Sequence, residues 1–262
     1  MDNESGTPVT DPVPPGEPAA PAPEGPENPL TRLFGVLVSP GETFESIGRK
    51  PDWLIPLLVW IAISIAGTMV VMPRLDYEPM YRSMLERNSQ LTEKQREQQL
   101  DRMMEGAELG EKWGVYAPVL TVPLMFLVVG TVFWGALRAF GAENSFRQSL
   151  SVTIYAFTPQ LLKAITSTAI ASTRTTIDAR LANALLKSNL GAFLTSPTES
   201  PVMFALLGSV DLFTIWTIVL LAIGLSVISK FPAGKVAILV VVLYLVVVLV
   251  KVGFAALMGG FS

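Results

Sequence analysis

Five long apolar runs dominate this chain, and each approaches the ~20 residues that a helix needs to cross the ~30 Å hydrocarbon layer of a membrane. The first, 54–72, reads LIPLLVWIAISIAGTMVVM, carries no charge and has Trp53 at its edge. The second, 115–137, is also uncharged and contains Pro118 and Pro123, which predict a bend. The third covers about 150–172, with Pro159 and Lys163 inside it. The fourth covers about 202–229 and contains Asp211; the fifth covers about 236–258, where VAILVVVLYLVVVLV precedes Lys251. One Val-rich run alone would suit a buried strand. In lipid, however, every backbone polar group must be paired within the protein, and runs about twice the length of a ~10-residue barrel strand predict helices. The expected fold is an all-α integral membrane protein, a five-transmembrane-helix bundle.

Composition narrows the chemistry. Only 16% of the 262 residues are charged, against roughly 25% in soluble domains, and the mean hydropathy is +0.48. The chain has neither His nor Cys, which excludes Ser-His-Asp and Cys-His nucleophile systems, thiolate or imidazole zinc sites, and disulfides. No phosphate-binding loop, dinucleotide fingerprint or acidic metal-ligand cluster is written in the sequence, so no enzyme, cofactor or metal centre is expected. No basic patch supports nucleic-acid binding.

The net charge of −3 averages two unlike parts. Residues 1–29 hold six acids, nine Pro and no Lys or Arg, leaving 19 basic against 16 acidic residues, or +3, in the remainder. Such a segment has almost nothing apolar to bury, and a disordered acidic Pro-rich tail is expected, either plainly solvated or offering PxP-type ligands to a protein partner. Residues 30–53 follow. There Ser39, Pro40 and Glu42 form a helix-start signal for a short helix over about 40–47, with Phe44 and Ile47 on one face, and Leu33, Phe34 and Leu37 form an apolar stripe upstream. Flanked by Arg32, Arg49 and Lys50, these pieces suit interfacial amphipathic helices; packing on the protein's own body is the alternative.

The connection 73–114 has helical spacing of its own: Tyr77, Met80, Tyr81, Met84 and Leu85 share one stripe. A second helix begins at Thr92, where TEKQ is a capping box, and presents Leu100, Met103, Met104 and Ala107. A helical extramembrane hairpin is expected here, and its Glu105, Glu108 and Glu111 read as a solvated face. The connection 173–201 repeats the pattern more weakly in Ile177, Leu181 and Leu185. Charge alone does not orient the bundle. With a cytoplasmic N-terminus, the inside segments hold seven Lys or Arg and the outside loops ten, and seven of those ten belong to a loop that also carries nine acids.

Three charges remain inside the apolar runs: Lys163, Asp211 and Lys251. Each costs at least ~2.5 kcal/mol at mid-bilayer, so each is a candidate for function. Counting nine residues in from the end of each run places all three ~14 Å below one surface at 1.5 Å per residue. They are expected to form an intramembrane polar cluster, structural or for transport, unless the two Lys snorkel outward independently.

Two stretches, RLFGVLVSPGETFESIGRKPDWLIP at 32–56 and GAENSFRQSLSVTIYAFTPQLL at 141–162, resemble the prokaryotic branch of the Yip (Ypt-interacting protein) family. The resemblance rests on Pro40, Phe44, Pro51 and Trp53 before the first span, then on the Gly-x-x-x-Ser-Phe-Arg-Gln connector leading to Tyr155 and Pro159, and it extends over roughly 30–260. It implies a five-span Yip-type membrane domain over 54–260, a cytoplasmic N-terminus and residence in the bacterial cytoplasmic membrane. Eukaryotic members are linked to Rab-type GTPases and vesicle formation. This chain lacks their Asp-Leu-Tyr-Gly-Pro signature, which weighs against GTPase binding. The functional expectation is a non-enzymatic membrane scaffold or interaction protein, with the lipid bilayer and protein partners at the tail or the 73–114 loop; the alternative is a transporter or permease subunit using Lys163, Asp211 and Lys251.

Overall fold

The computed structural model describes residues 28–86, 90–193 and 201–260. The expected tail therefore lies outside the described residues except for Asn28 and Pro29.

Two helices precede the first span. α1 (Pro29–Val38) begins where the Asn28 side chain accepts the Leu30 N–H, with Pro29 at the first position. α2 (Pro40–Arg49) follows after Ser39 alone. Ser39 makes no side-chain cap and joins the two helices through its backbone: its N–H closes α1 on the Gly35 carbonyl, and its own carbonyl accepts the Thr43 N–H and hydroxyl. α3 (Leu54–Val71) is extended by a 3-10 turn at Met72–Arg74 and a two-residue strand, β1 (Leu75–Asp76).

The loop hairpin consists of α4 (Glu78–Glu86) and α5 (Glu93–Gly114), and α5 opens on the Thr92–Gln95 capping box. Leu85 and Leu100 are its buried residues, as the stripes require, whereas Met84 turns outward. α6 (Ala117–Ala139) carries Pro118 in its first turn and continues through Pro123.

Next come α7 (Phe146–Ala156), α8 (Thr158–Ser172) and β2 (Ile177–Asp178), then 3-10 turns at Ala179–Ala184 and Leu190–Phe193. α9 (Pro201–Leu207), α10 (Leu212–Ser229) and α11 (Ala233–Gly260) are the last elements of the described residues.

Among the described residues, four helical segments are long and apolar enough to cross a membrane: Leu54–Arg74, Ala117–Ala139, Leu212–Ser229 and Ala233–Phe254. The third and fourth expected runs are each broken. At 150–172 the break falls at Phe157, because Pro159 has no N–H to give the Tyr155 carbonyl. The Thr158 hydroxyl takes that carbonyl at 2.6 Å, and α8 starts afresh. At 202–229 the break is 208–211, where Asp211 stands as the N-cap of α10 rather than as a charge inside a continuous helix.

The α7–α8 pair nevertheless runs the length of α3. At one end the Gln148 amide donates to the Gly48 carbonyl of α2, six residues ahead of α3, and at the other β2 pairs in parallel with β1 at the tail of α3, Leu75 opposite Ile177. A parallel pair requires both chains to leave in the same direction.

α7 is the axis of the protein, with every residue from Ser149 to Ala156 buried. α2 is wedged against it and α10, so that Phe44 and Ile47 join Val152, Leu221 and Leu225 in one core. A second core gathers Leu57, Trp60, Phe126 and Ile154, with Trp60 edge-on to Phe126 at 5.4 Å. Thus the inner faces of α1 and α2 pack on the protein's own body. Of these two helices, α1 keeps an outward apolar stripe, Leu30, Phe34 and Val38, at i, i+4 and i+8.

Candidate functional site

Asp211 accepts hydrogen bonds from four different residues. At the N-terminus of α10 its Oδ1 accepts the backbone N–H groups of Phe213 and Thr214 at 3.0 and 3.2 Å. Its Oδ2 accepts Lys163 Nζ from α8 at 2.9 Å and the Ser188 hydroxyl. The Asp211 side chain is 2% exposed and that of Lys163 26%, so the pair is shielded on the acid's side. Burial pushes the Asp211 carboxyl upward, but the bonds from Ser188 and Lys163 outweigh it and hold it below the usual carboxylate range.

The irregular backbone around this pair is also satisfied. Leu190 N–H bonds to the Val210 carbonyl, Leu212 N–H to the Ser188 carbonyl, and the Tyr244 hydroxyl of α11 to the Ser209 carbonyl. Gln160 Nε2 adds a bond to the Thr214 hydroxyl at 3.1 Å. Non-helical chain inside a membrane protein persists only when its polar groups are paired in this way.

The three expected residues therefore divide. Lys163 and Asp211 meet, while Lys251 lies exposed on α11, and among the described residues no ion pair or hydrogen bond joins it to them. The equal-depth count treated Asp211 as an interior residue of an unbroken span, and the break at 208–211 removes that premise.

A second polar centre lies in the segment 30–53 ahead of the first span. Arg32 is 1% exposed. Its guanidinium donates to the Asp52 carboxylate, to the Lys50 carbonyl at 2.9 Å and to the Ser46 hydroxyl at 2.8 Å. Asp52 in turn accepts the Tyr155 hydroxyl of α7 at 2.9 Å. One ion pair thus ties α1, α2, the turn into α3 and the central helix together. A signal existed in the sequence: Arg32 stands four residues before Val36 and next to Leu33, on the inward face of α1. Spacing shows the shared face, but only the fold shows that Asp52 and Tyr155 are there to receive the charge.

Both centres are filled by their own partners, and among the described residues no group of three or more Asp or Glu side chains could hold a metal ion.

Long apolar helices, a buried pre-membrane wedge and two closed polar clasps define a polytopic helical membrane protein. The Yip1 domain matches residues 34–255, and the chain belongs to that family. It is similar to YknW of Bacillus subtilis (strain 168), described as a membrane protein, with 26% identity over 193 residues that cover 74% of this chain and 76% of the relative. No solved structure matches.

Proposed function

We propose that this Yip1-family membrane protein is a non-enzymatic scaffold that crosses the bacterial cytoplasmic membrane five times, with its N-terminus in the cytoplasm. The fifth crossing is the broken α7–α8 pair, and its course beside α3 supports that count. Protein partners would be met at the tail and at the α4–α5 hairpin, whose Glu105, Glu108 and Glu111 are exposed.

The observation that carries the scaffold reading over a transporter is the state of Asp211. A carboxylate that binds and releases a cation or proton needs an open position, and here both oxygens are occupied by two backbone N–H groups, an ammonium and a hydroxyl. Saturation of this kind fits a clasp between α8 and α10.

A charge-free clasp tests it. Lys163→Met alone strands a buried carboxylate and should cost about 3 kcal/mol. Lys163→Met with Asp211→Asn keeps a good helix cap, removes both charges and should regain most of that loss. Expressed in a deletion strain, the double variant should complement the deletion phenotype and yield the same crosslinked complexes from native membranes. A folded double variant that fails to complement would favour transport through this pair.

A further inference from the structure

At one end of the bundle, α6 finishes and α11 begins side by side, opening an apolar groove between them. The cavity, about 260 Å³, is walled by Leu137, Phe140, Phe231, Leu239 and Val242, with Lys235 among its lining residues. Val242 and Phe140 are 50% and 58% exposed, so the groove is open on its outer side, which in a membrane is the hydrocarbon. The Lys235 ammonium lies 4.4 Å from the Phe231 ring centroid and 5.3 Å from that of Phe140. Lys235, with Arg138 and Lys230 at the neighbouring helix ends, marks the level of the membrane interface, where long cationic side chains reach the headgroups.

Lys235 has no carboxylate partner among the described residues. It sits in the first turn of α11, where the helix dipole is positive and does nothing to compensate a cation. Arg138 in the last turn of α6 and Lys230 at the end of α10 are exposed on the adjoining connectors. The combination is an open apolar slot beside a net positive rim, on which Lys235, Arg138 and Lys230 outnumber the single acid Glu143.

We infer that this groove binds an anionic glycerophospholipid, with one acyl chain along α6 and α11 and the phosphate against Lys235. Basic pockets between transmembrane helices are suited to such headgroups. A free phosphate would gain nothing from the apolar walls, and a zwitterionic lipid would use the walls but gain less from the charge.

The test is native mass spectrometry of the purified full-length protein titrated with phosphatidylglycerol or phosphatidylcholine. The intact protein should bind phosphatidylglycerol in preference. Lys235→Gln should weaken phosphatidylglycerol about fivefold and leave phosphatidylcholine unchanged, the loss expected for one interfacial cation. Val242→Trp, which fills the slot without touching the charge, should weaken both lipids. Millimolar glycerol phosphate should displace neither. Equal binding of the two lipids, unaltered phosphatidylglycerol binding by Lys235→Gln, an inert Val242→Trp or displacement by glycerol phosphate would each overturn the assignment. Lys235 and Val242 are outside the core, so thermal unfolding of both variants should match that of the parent.

Discussion

Gly224 offers the sharpest check on the wedge of α2. A Cβ built on it would lie 2.6 Å from Val152 Cγ1 and 2.8 and 2.9 Å from Phe44 Cδ1 and Cε1. Phe44 and Val152 are both 0% exposed, so neither can swing aside into solvent or lipid. Gly224→Ala gains about 1 kcal/mol of helix propensity and incurs about 1–3 kcal/mol of overpacking, for a net loss on the order of 1 kcal/mol. Gly135→Ala on α6 is the control, since nothing lies within 4 Å of a Cβ there; it should leave stability unchanged or raise it. Stability would be followed by denaturant titration in detergent micelles, with intrinsic tryptophan fluorescence as the signal. Because the clash involves Val152 directly, Val152→Ala should be less damaging in the Gly224→Ala background than alone, with a coupling of at least ~0.5 kcal/mol. Strict additivity, or a Gly224→Ala protein as stable as the Gly135→Ala control, would refute the close approach of α2, α7 and α10.

Two further outcomes follow from the same geometry. The chain has no Cys, so single-cysteine variants report topology without background: in intact cells a membrane-impermeant maleimide should label Gln98→Cys and Thr175→Cys but not Glu143→Cys, and labelling of Thr175→Cys only after lysis would show that α7–α8 does not cross. The depressed Asp211 pKa gives stability that is fully present above the ordinary carboxylate value of about 3.9 and is lost as pH falls through the lower folded value. The parent should therefore lose more stability on acidification toward pH 3 than the Lys163→Met, Asp211→Asn protein, and parallel pH profiles for the two would contradict the pairing.

Residue order alone was enough to mark the apolar runs, the helical loop with its Thr92 capping box and the family, because each is a local pattern: hydropathy over ~20 residues, a 3.6-residue stripe, or a short motif. The same local view went astray where backbone satisfaction depends on distant groups. Pro159 and Asp211 were both visible inside their runs, yet whether a helix bends, breaks or restarts depends on what accepts and donates at the gap. Here Thr158 takes the orphan Tyr155 carbonyl, and Ser188 with Lys163 completes Asp211 from two other segments. The place of Arg32 beside two amphipathic pieces suits an interfacial or a packed position equally, and its burial is decided by Asp52 and Ser46, which reach it only after α2 folds back beneath α1.

The sequence by itself determined that this chain is helical, lives in a membrane and has few groups able to do chemistry there, because the solvent properties of lipid act on composition. Tertiary structure decided which of those few groups meet. Lys163 and Asp211 are 48 residues apart and Arg32 and Tyr155 lie on different helices, joined through Asp52. A buried charge is stabilised only by partners brought within about 3 Å, a distance that no count along the chain can supply.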